Sequence, residues 1–336
     1  MSCYDKHSAS LFAVSRHFAH HHSPVKIFRD AAALPTTMQR GAVTIGNYDG
    51  VHRGHAALLD QLQSVSQRLG CAAIVVTFDP HPLALLRPES TPTPLSWVER
   101  KAELLGQQGV DALVVLSTTP ELLRLTPAEF ENRILVESLQ ARAVVEGPNF
   151  HFGYKRAGNT AVLEDLCRAR QIETLVVDPV ATGEEWISST RIRELLRAGE
   201  IRKANELLTA PYRLRGQVVQ GAQRGRTIGF PTLNLAGVTT LVPGHGVYAG
   251  NVFLADGQHA AAINIGPNPT FGEQADKIEA HVLDWSGDLY GQWIELELVD
   301  RVRGVRKFAN ADELIAQVKL DVSQVRNIAA NFRASD

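Results

Sequence analysis

Apolar residues take two different textures along this chain. Between Val25 and Val177, short β-branched runs alternate with stretches whose apolar positions recur at helical spacing. Val25–Phe28 and Ala42–Ile45 read as strands. Leu58, Leu62, Val65 and Leu69 then repeat every three or four residues, and Gly70 stands where a left-handed C-cap belongs. Cys71–Phe78 is an unbroken apolar run of the kind buried on both faces of a parallel sheet. Ser96-Trp97-Val98-Glu99 predicts a capping box opening a helix that ends near Gly109, followed by a strand at Ala112–Leu116. Thr126-Pro127-Ala128-Glu129 repeats the device before a strand at Ala143–Glu146. A helix around Val162–Arg170 leads into a strand at Thr174–Val177. Such alternation predicts an α/β unit, a doubly wound parallel sheet with helices on both faces.

From Tyr212 onward the helical spacing disappears. Leu214–Gln220, Thr232–Leu235, Val247–Leu254, Ala261–Ile265, Ile278–Leu283 and Trp293–Val299 are short strand candidates separated by Gly, Pro, Asp or Asn. Six short strands without intervening helices predict a closed antiparallel barrel. Asp312–Arg326 adds one amphipathic helix, with Leu314, Ile315, Val318, Val322 and Val325 as its apolar stripe. Two short helices, Thr190–Ala198 and Ile201–Leu208, bridge the halves.

The chain's 336 residues agree with two domains at roughly 150 residues each. The expected division is a disordered Ser- and His-rich leader at 1–24, the α/β domain at 25–185, a helical junction at 186–211 and the barrel at 212–336. With 44% hydrophobic residues, the bulk of the chain is not a disordered polymer, and no 18-residue apolar run offers a membrane span. Lys and Arg number 34 against 36 Asp and Glu, so there is no basic face for nucleic acid. Three cysteines without a CxxC pair point to a reducing cytoplasm and away from a disulfide framework or a Cys-based zinc site. Of the twelve histidines, His7, His17, His20, His21 and His22 fall in the leader, which moves interest to those that remain.

Candidate chemistry begins at Thr44-Ile45-Gly46-Asn47-Tyr48-Asp49-Gly50-Val51-His52-Arg53-Gly54-His55, which runs off a strand end into a helix start. Ligands of open α/β sheets bind at such a carboxyl edge. Gly46, Asn47 and Gly54 let backbone approach phosphate, and two histidines around one glycine can both donate to it. By itself, HxGH reads equally well as a polar turn and a helix cap. Thr77-Phe78-Asp79-Pro80-His81-Pro82 ends the next strand and faces the same crevice. Ile187-Ser188-Ser189-Thr190-Arg191-Ile192-Arg193 places three hydroxyls at a helix start with Arg193 just inside, a combination that suits a polyphosphate.

A second constellation lies in the barrel half. Gly221-Ala222-Gln223-Arg224-Gly225-Arg226-Thr227-Ile228-Gly229 precedes Phe230-Pro231-Thr232-Leu233-Asn234. It lacks the GK[ST] of a P-loop, yet glycines with Arg226 can wrap phosphates through backbone donors. Thr232 and Asn234 share one face of a strand, and two neutral oxygen ligands beside phosphates suit Mg²⁺.

The strings TIGNYDGVHRGH, TFDPHP, GPNFHFG (Gly147–Gly153) and ISSTRIR resemble the adenylyltransferase half of bacterial bifunctional riboflavin kinase/FAD synthetases. The second constellation, with INIGPNPTF (Ile263–Phe271), Ile278-Glu279-Ala280-His281 and Asp288-Leu289-Tyr290-Gly291, resembles the riboflavin kinase half of that family. The resemblance spans about Val25 to Ala330. It implies a Rossmann-like nucleotidyltransferase domain followed by a six-stranded kinase barrel. ATP would be the co-substrate of two steps: riboflavin to FMN with release of ADP, then FMN to FAD with release of pyrophosphate.

On the same resemblance, His52 and His55 act on the α-phosphate. Ser188, Ser189, Thr190 and Arg193 hold pyrophosphate, and Asp79, Asn149, Phe150 and Phe152 lie by the flavin. Glu279 is the base that takes the riboflavin hydroxyl proton, Thr232 and Asn234 hold Mg²⁺, and Gly221, Gly225, Arg226 and Gly229 wrap the nucleotide. The chain departs from the family pattern at Tyr48 (often Phe), Asn149 (often Asp), Leu233 (usually Ala) and Gly304-Val305 (commonly an acidic pair). A class-I synthetase-like partner of RNA would share HxGH, but the near-neutral charge opposes it.

Overall fold

The computed structural model describes residues 25–178, 181–182, 185–222, 224–267 and 276–333. The leader expected at 1–24 and residues 268–271 of the INIGPNPTF string lie outside the described residues. The first half is a six-stranded sheet: β1 (Lys26–Phe28), β2 (Ala42–Ile45), β3 (Ala73–Asp79), β4 (Ala112–Ser117), β5 (Ala143–Glu146) and β6 (Glu173–Val176). Its order is β1-β4-β3-β2-β5-β6, and every pairing is parallel. Strand order therefore reverses beside β2, which makes the carboxyl end of β2 a topological switch point where a crevice opens. Residues of β2, β3, β4 and β5 are almost entirely buried, as continuous apolar runs in a two-sided sheet require.

A small ribbon, β7 (Ala181–Thr182) with β8 (Glu185–Trp186), precedes the helices Ser189–Arg197 and Ile201–Leu207. Then β9 (Arg213–Val219), β10 (Leu233–Ala236), β11 (Gly246–Leu254), β12 (Gly257–Gly266), β13 (Lys277–Val282) and β14 (Trp293–Arg303) close into a barrel in the order β10-β13-β12-β11-β14-β9. Both expected architectures are present. Ile192, Leu196, Ile201 and Leu207 of the two linking helices share one apolar cluster with Leu214, Ile263 and Leu296 of the barrel, and Leu95 of the sheet half joins it.

Several local expectations hold and others are corrected. Gly70 caps the helix Arg53–Leu69 at φ 61°, and the Thr126/Glu129 capping box forms, though its helix continues as a π-helical stretch, Glu131–Ser138. The Ser96 capping box does not form. Trp97 is the N-cap of Val98–Gln107 without a side-chain bond, because the Ser96 hydroxyl is engaged by Asp49 and the Gly50 N–H. The apolar strand begins at Ala73 rather than Cys71. The last helix runs Ala311–Arg333, seven residues past the expected end, since Ile328 and the buried Ala329 prolong its contact with the barrel.

Candidate functional site

The first site forms where β2 runs out. The chain turns through Tyr48, Gly50 and Val51, all at positive φ, into the helix Arg53–Leu69. His52 is its N-cap: His52 Nδ1 accepts the His55 N–H at 3.3 Å, and His55 Nδ1 accepts the His52 N–H at 3.2 Å. The rings stack 3.6 Å apart. With both Nδ1 atoms accepting, each neutral ring carries its proton on Nε2 and has one N–H left to give. Burial lowers the His52 pKa from 6.5 to about 4, and burial, then His52 and Lys101, drive His55 well below its ordinary value. At neutral pH the pair is therefore two uncharged N–H donors.

Gly54 leaves little room for a side chain here, because a Cβ would lie 3.1 Å from His52 Nδ1 and 3.2 Å from the Ile187 carbonyl. That close approach brings the Ser-rich turn to the histidines. Ser188 caps the helix Ser189–Arg197 by accepting the Arg191 N–H, and the Ser189 hydroxyl donates to the Asp49 carbonyl at 3.0 Å; Thr190 is exposed. Arg193 is buried and turned inward. Its guanidinium pairs with Asp49, and its Nε donates to the Thr93 carbonyl at 2.8 Å. Asp49 also accepts the Leu95 N–H on both oxygens at 2.9 Å and the Ser96 N–H at 3.1 Å.

Beside this network a cleft of about 380 Å³ opens, with Asn47, Asp79, His81, Trp97 and Lys101 among its lining. Lys101 is buried, yet its ammonium donates to the Asn47 carbonyl at 2.6 Å and to Thr77 Oγ1 at 3.3 Å. Burial lowers its pKa, while Asp49 and Asp79 act in the other direction. On the far side of β2, Glu146 accepts the Ile45 N–H at 2.7 Å, and burial raises its pKa well above the ordinary value. After β5, Asn149 is exposed and Phe150 stacks on Phe152 at 5.4 Å. Phe152 itself is buried against Phe130 and bridges Gly158 by two backbone hydrogen bonds, so it supports Phe150 from below.

The structure thus gathers Gly46, Asn47, His52, Gly54, His55, Asp79, Ser188, Ser189 and Arg193 at one sheet edge. Asp49, Lys101 and Glu146 were not singled out from sequence. Lys101 carried a usable signal, since it falls on the buried face of its helix in phase with Val98 and Leu105.

The second site lies on the barrel's outer face. Asn234 on β10 pairs with Glu279 on β13, which pairs with Asn264 on β12, so the three form one rung. Ile278, Ala280 and Leu235 point into the barrel core, which puts Glu279 and Asn234 on the outside, partly buried. Thr232 precedes β10 on the same side. Gly221 presses against Asn234, where a Cβ would lie 2.3 Å from Nδ2. Gly225 packs on the Phe230 carbonyl, where a Cβ would lie 2.2 Å from the oxygen, with Thr232 Oγ1 in ordinary contact at 3.4 Å. Arg226 and Thr232 open into a neighbouring cavity of about 460 Å³ with Trp285 and Tyr290. Gly229 adopts φ 86° in the turn that returns the loop to β10.

Among the described residues, no three His, Cys, Asp or Glu side chains group as a metal cage. An ion at Thr232 and Asn234 would have to share its shell with a ligand's oxygens and water. Mg²⁺ tolerates that arrangement, and the two neutral oxygens held by the glycine cradle fit it. No described helix is long and apolar enough to cross a membrane.

Residues 34–191 match the family model for FAD synthetase, and residues 208–329 match that for riboflavin kinase. The bifunctional riboflavin kinase/FMN adenylyltransferase of Escherichia coli K12 is 34% identical over 299 residues, covering 88% of this chain and 96% of its own. The Pseudomonas fluorescens protein of the same description is 36% identical, covering 87% and 94%. A crystal structure described as a macrolide-efflux protein from Streptococcus pneumoniae superposes with a TM-score of 0.79 at 28% identity, covering 91% of this chain and 99% of that one.

Proposed function

Because this chain belongs to the family of bifunctional riboflavin kinase/FMN adenylyltransferases, we infer which of its residues carry each of the two reactions. The enzyme phosphorylates riboflavin to FMN with ATP and then joins FMN to AMP from a second ATP, giving FAD. We assign the adenylyl transfer to 25–185, the phosphoryl transfer to 212–336 and the helical junction to 186–211.

In the sheet-edge site an FMN phosphate oxygen attacks the α-phosphorus of ATP. The new P–O bond forms as the bond to the β-phosphate breaks, and pyrophosphate leaves. The observation that carries this reading is the interlocked pair His52/His55, which presents two Nε2–H donors that stay neutral. Donors fixed beforehand stabilise charge on the α-phosphate oxygens as it develops and require no reorganisation. Ser188, Ser189 and Thr190 hold the departing pyrophosphate. Arg193 braces that turn through Asp49 and Thr93 rather than facing the ligand. Gly46, Asn47 and Gly54 bring backbone to the nucleotide, and Asp79, Asn149 and Phe150 flank the flavin on the support of Phe152.

At the barrel site Glu279 accepts the proton of the riboflavin hydroxyl as that oxygen attacks the γ-phosphate, and ADP leaves. Thr232 and Asn234 would hold Mg²⁺, which when bound neutralises phosphate charge. Gly221, Gly225, Arg226 and Gly229 form the loop that closes over the nucleotide.

The direct test is chromatography of riboflavin incubated with ATP and Mg²⁺: FMN is expected first, then FAD. His52→Ala removes one donor and should slow FAD formation about 10²–10³-fold while FMN still forms. His52→Asn keeps an acceptor for the His55 N–H, so it preserves the cap, while its shorter amide cannot place an N–H where Nε2 stands. FAD formation retained in both variants would sink the assignment. In the barrel, Gly221→Ala drives its methyl group into Asn234. It should lower the FMN-forming rate by roughly tenfold to a hundredfold and raise the Mg²⁺ requirement, with supplied FMN still adenylylated normally.

A further inference from the structure

The cleft that holds Asn47, Asp79, His81 and Lys101 is not built from the sheet half alone. Thr239 and Thr240, from the barrel segment that follows β10, line it together with Trp97. Their placement is fixed on both sides. The Leu241 N–H donates to the Pro94 carbonyl at 2.8 Å, and the Leu241 carbonyl accepts the Tyr212 hydroxyl at 2.7 Å. Leu241 is buried in the same cluster as Leu95, with Val238 packed against it, and Thr240 is itself buried. The facing strip is clamped too, since Arg193 holds the Thr93 carbonyl and Asp49 holds the Leu95 and Ser96 amides. Two rigid surfaces from different halves of the chain therefore meet across a cavity of about 380 Å³.

We propose that the kinase barrel completes the adenylylation cleft of its own chain, with Thr239 and Thr240 as residues that determine capture of the flavin phosphate ester. This rests on the assignment of adenylyl transfer to the sheet-edge site. Arg29 and Lys101 line the cleft beside Asp49, Asp79 and Glu99, of which Asp49 is paired with Arg193 and Glu99 lies 3.5 Å from Arg29. The Trp97 and Phe78 surfaces suit a planar ring. A wall that closes such a cavity acts on whatever occupies it, and a charge placed there is felt by a dianion within one Debye length. The segment starts from β10, so the barrel strand that carries Asn234 also sets the position of the cleft's wall.

The test is a pair of opposite charges at one position. Thr239→Asp should raise the KM for FMN in FAD formation about tenfold, and Thr239→Lys should leave it unchanged or lower it. The KM for ATP and the rate of FMN formation from riboflavin serve as internal readouts, and raised salt should shrink the difference. Mere structural damage moves both variants in the same direction. Equal KM values for FMN in wild type and Thr239→Asp would overturn the proposal, as would equal loss in both variants or a shift confined to the KM for ATP. If the wild-type protein phosphorylates riboflavin yet makes no FAD, the underlying assignment fails instead, and the two failures are distinct.

Discussion

Glu279→Gln is expected to lower FMN formation from riboflavin by about 10²–10⁴-fold, the usual contribution of a positioned general base. The replacement preserves shape while removing the negative charge and with it the ability to accept a proton. Ile278 and Ala280 fix the strand by packing into the barrel, so the residue between them stays on the outer face in either variant. Its cross-strand partners, Asn234 and Asn264, stand on both sides of the same rung, with Cβ atoms of paired residues about 4.5–5.5 Å apart. The carboxylate is thereby placed beside the oxygens proposed to hold the metal and nucleotide. Supplied FMN should still be converted to FAD at the wild-type rate, because that reaction uses another site. Stopped-time chromatography with each substrate separates the two steps. FMN formation within tenfold of wild type would remove Glu279 from the role of base, and equal loss of both steps would mean that the sites are not separate.

How much of this was readable in advance depends on the range of the interaction that fixes each residue. The Thr126/Glu129 box and the Gly70 cap are set within three or four residues, and both form as the sequence predicts. Ser96 has the same local signature, yet its hydroxyl is taken by Asp49 and Gly50, 47 and 46 positions away. The alternation of apolar and polar residues in β13 announces which face Glu279 occupies, but its rung with Asn234 and Asn264 exists only once the barrel closes in register. Arg193 shows the limit most clearly. A guanidinium one turn inside a Ser-rich helix start suits a phosphate, and only the fold reveals a buried carboxylate from another loop that holds it. Lys101 and Glu146 follow the same logic, because a charged residue in an apolar phase announces burial but not its partner. Motif and spacing marked the surfaces where ligands act, and tertiary contacts chose the residues that hold those surfaces still.

Asp49→Ala should be the most destabilising single change in the first half, costing about 3–5 kcal/mol, the range for breaking a buried pair by removing one partner. The carboxylate gathers Arg193, the Leu95 N–H and the Ser96 N–H and hydroxyl at one point. Without it, a buried guanidinium and two buried amides lose their acceptor together, and none of them can turn to water. Asp49→Asn keeps an acceptor oxygen for the amides while discarding the charge, so it should cost less. Arg193→Leu should cost less than Asp49→Ala, because the carboxylate retains its amide donors. Pairing Asp49→Asn with Arg193→Leu removes both charges and should recover stability relative to the sum of the two single changes. Denaturant midpoints of the full chain measure this order, followed by the fluorescence of its four tryptophans, of which Trp97 lies beside this network. The Ser189 hydroxyl rests on the Asp49 carbonyl, so a loosened Asp49 loop should raise the KM for ATP in FAD formation while FMN formation holds. An Arg193→Leu protein of wild-type stability that has lost ATP binding would reverse the reading and return Arg193 to the phosphate itself.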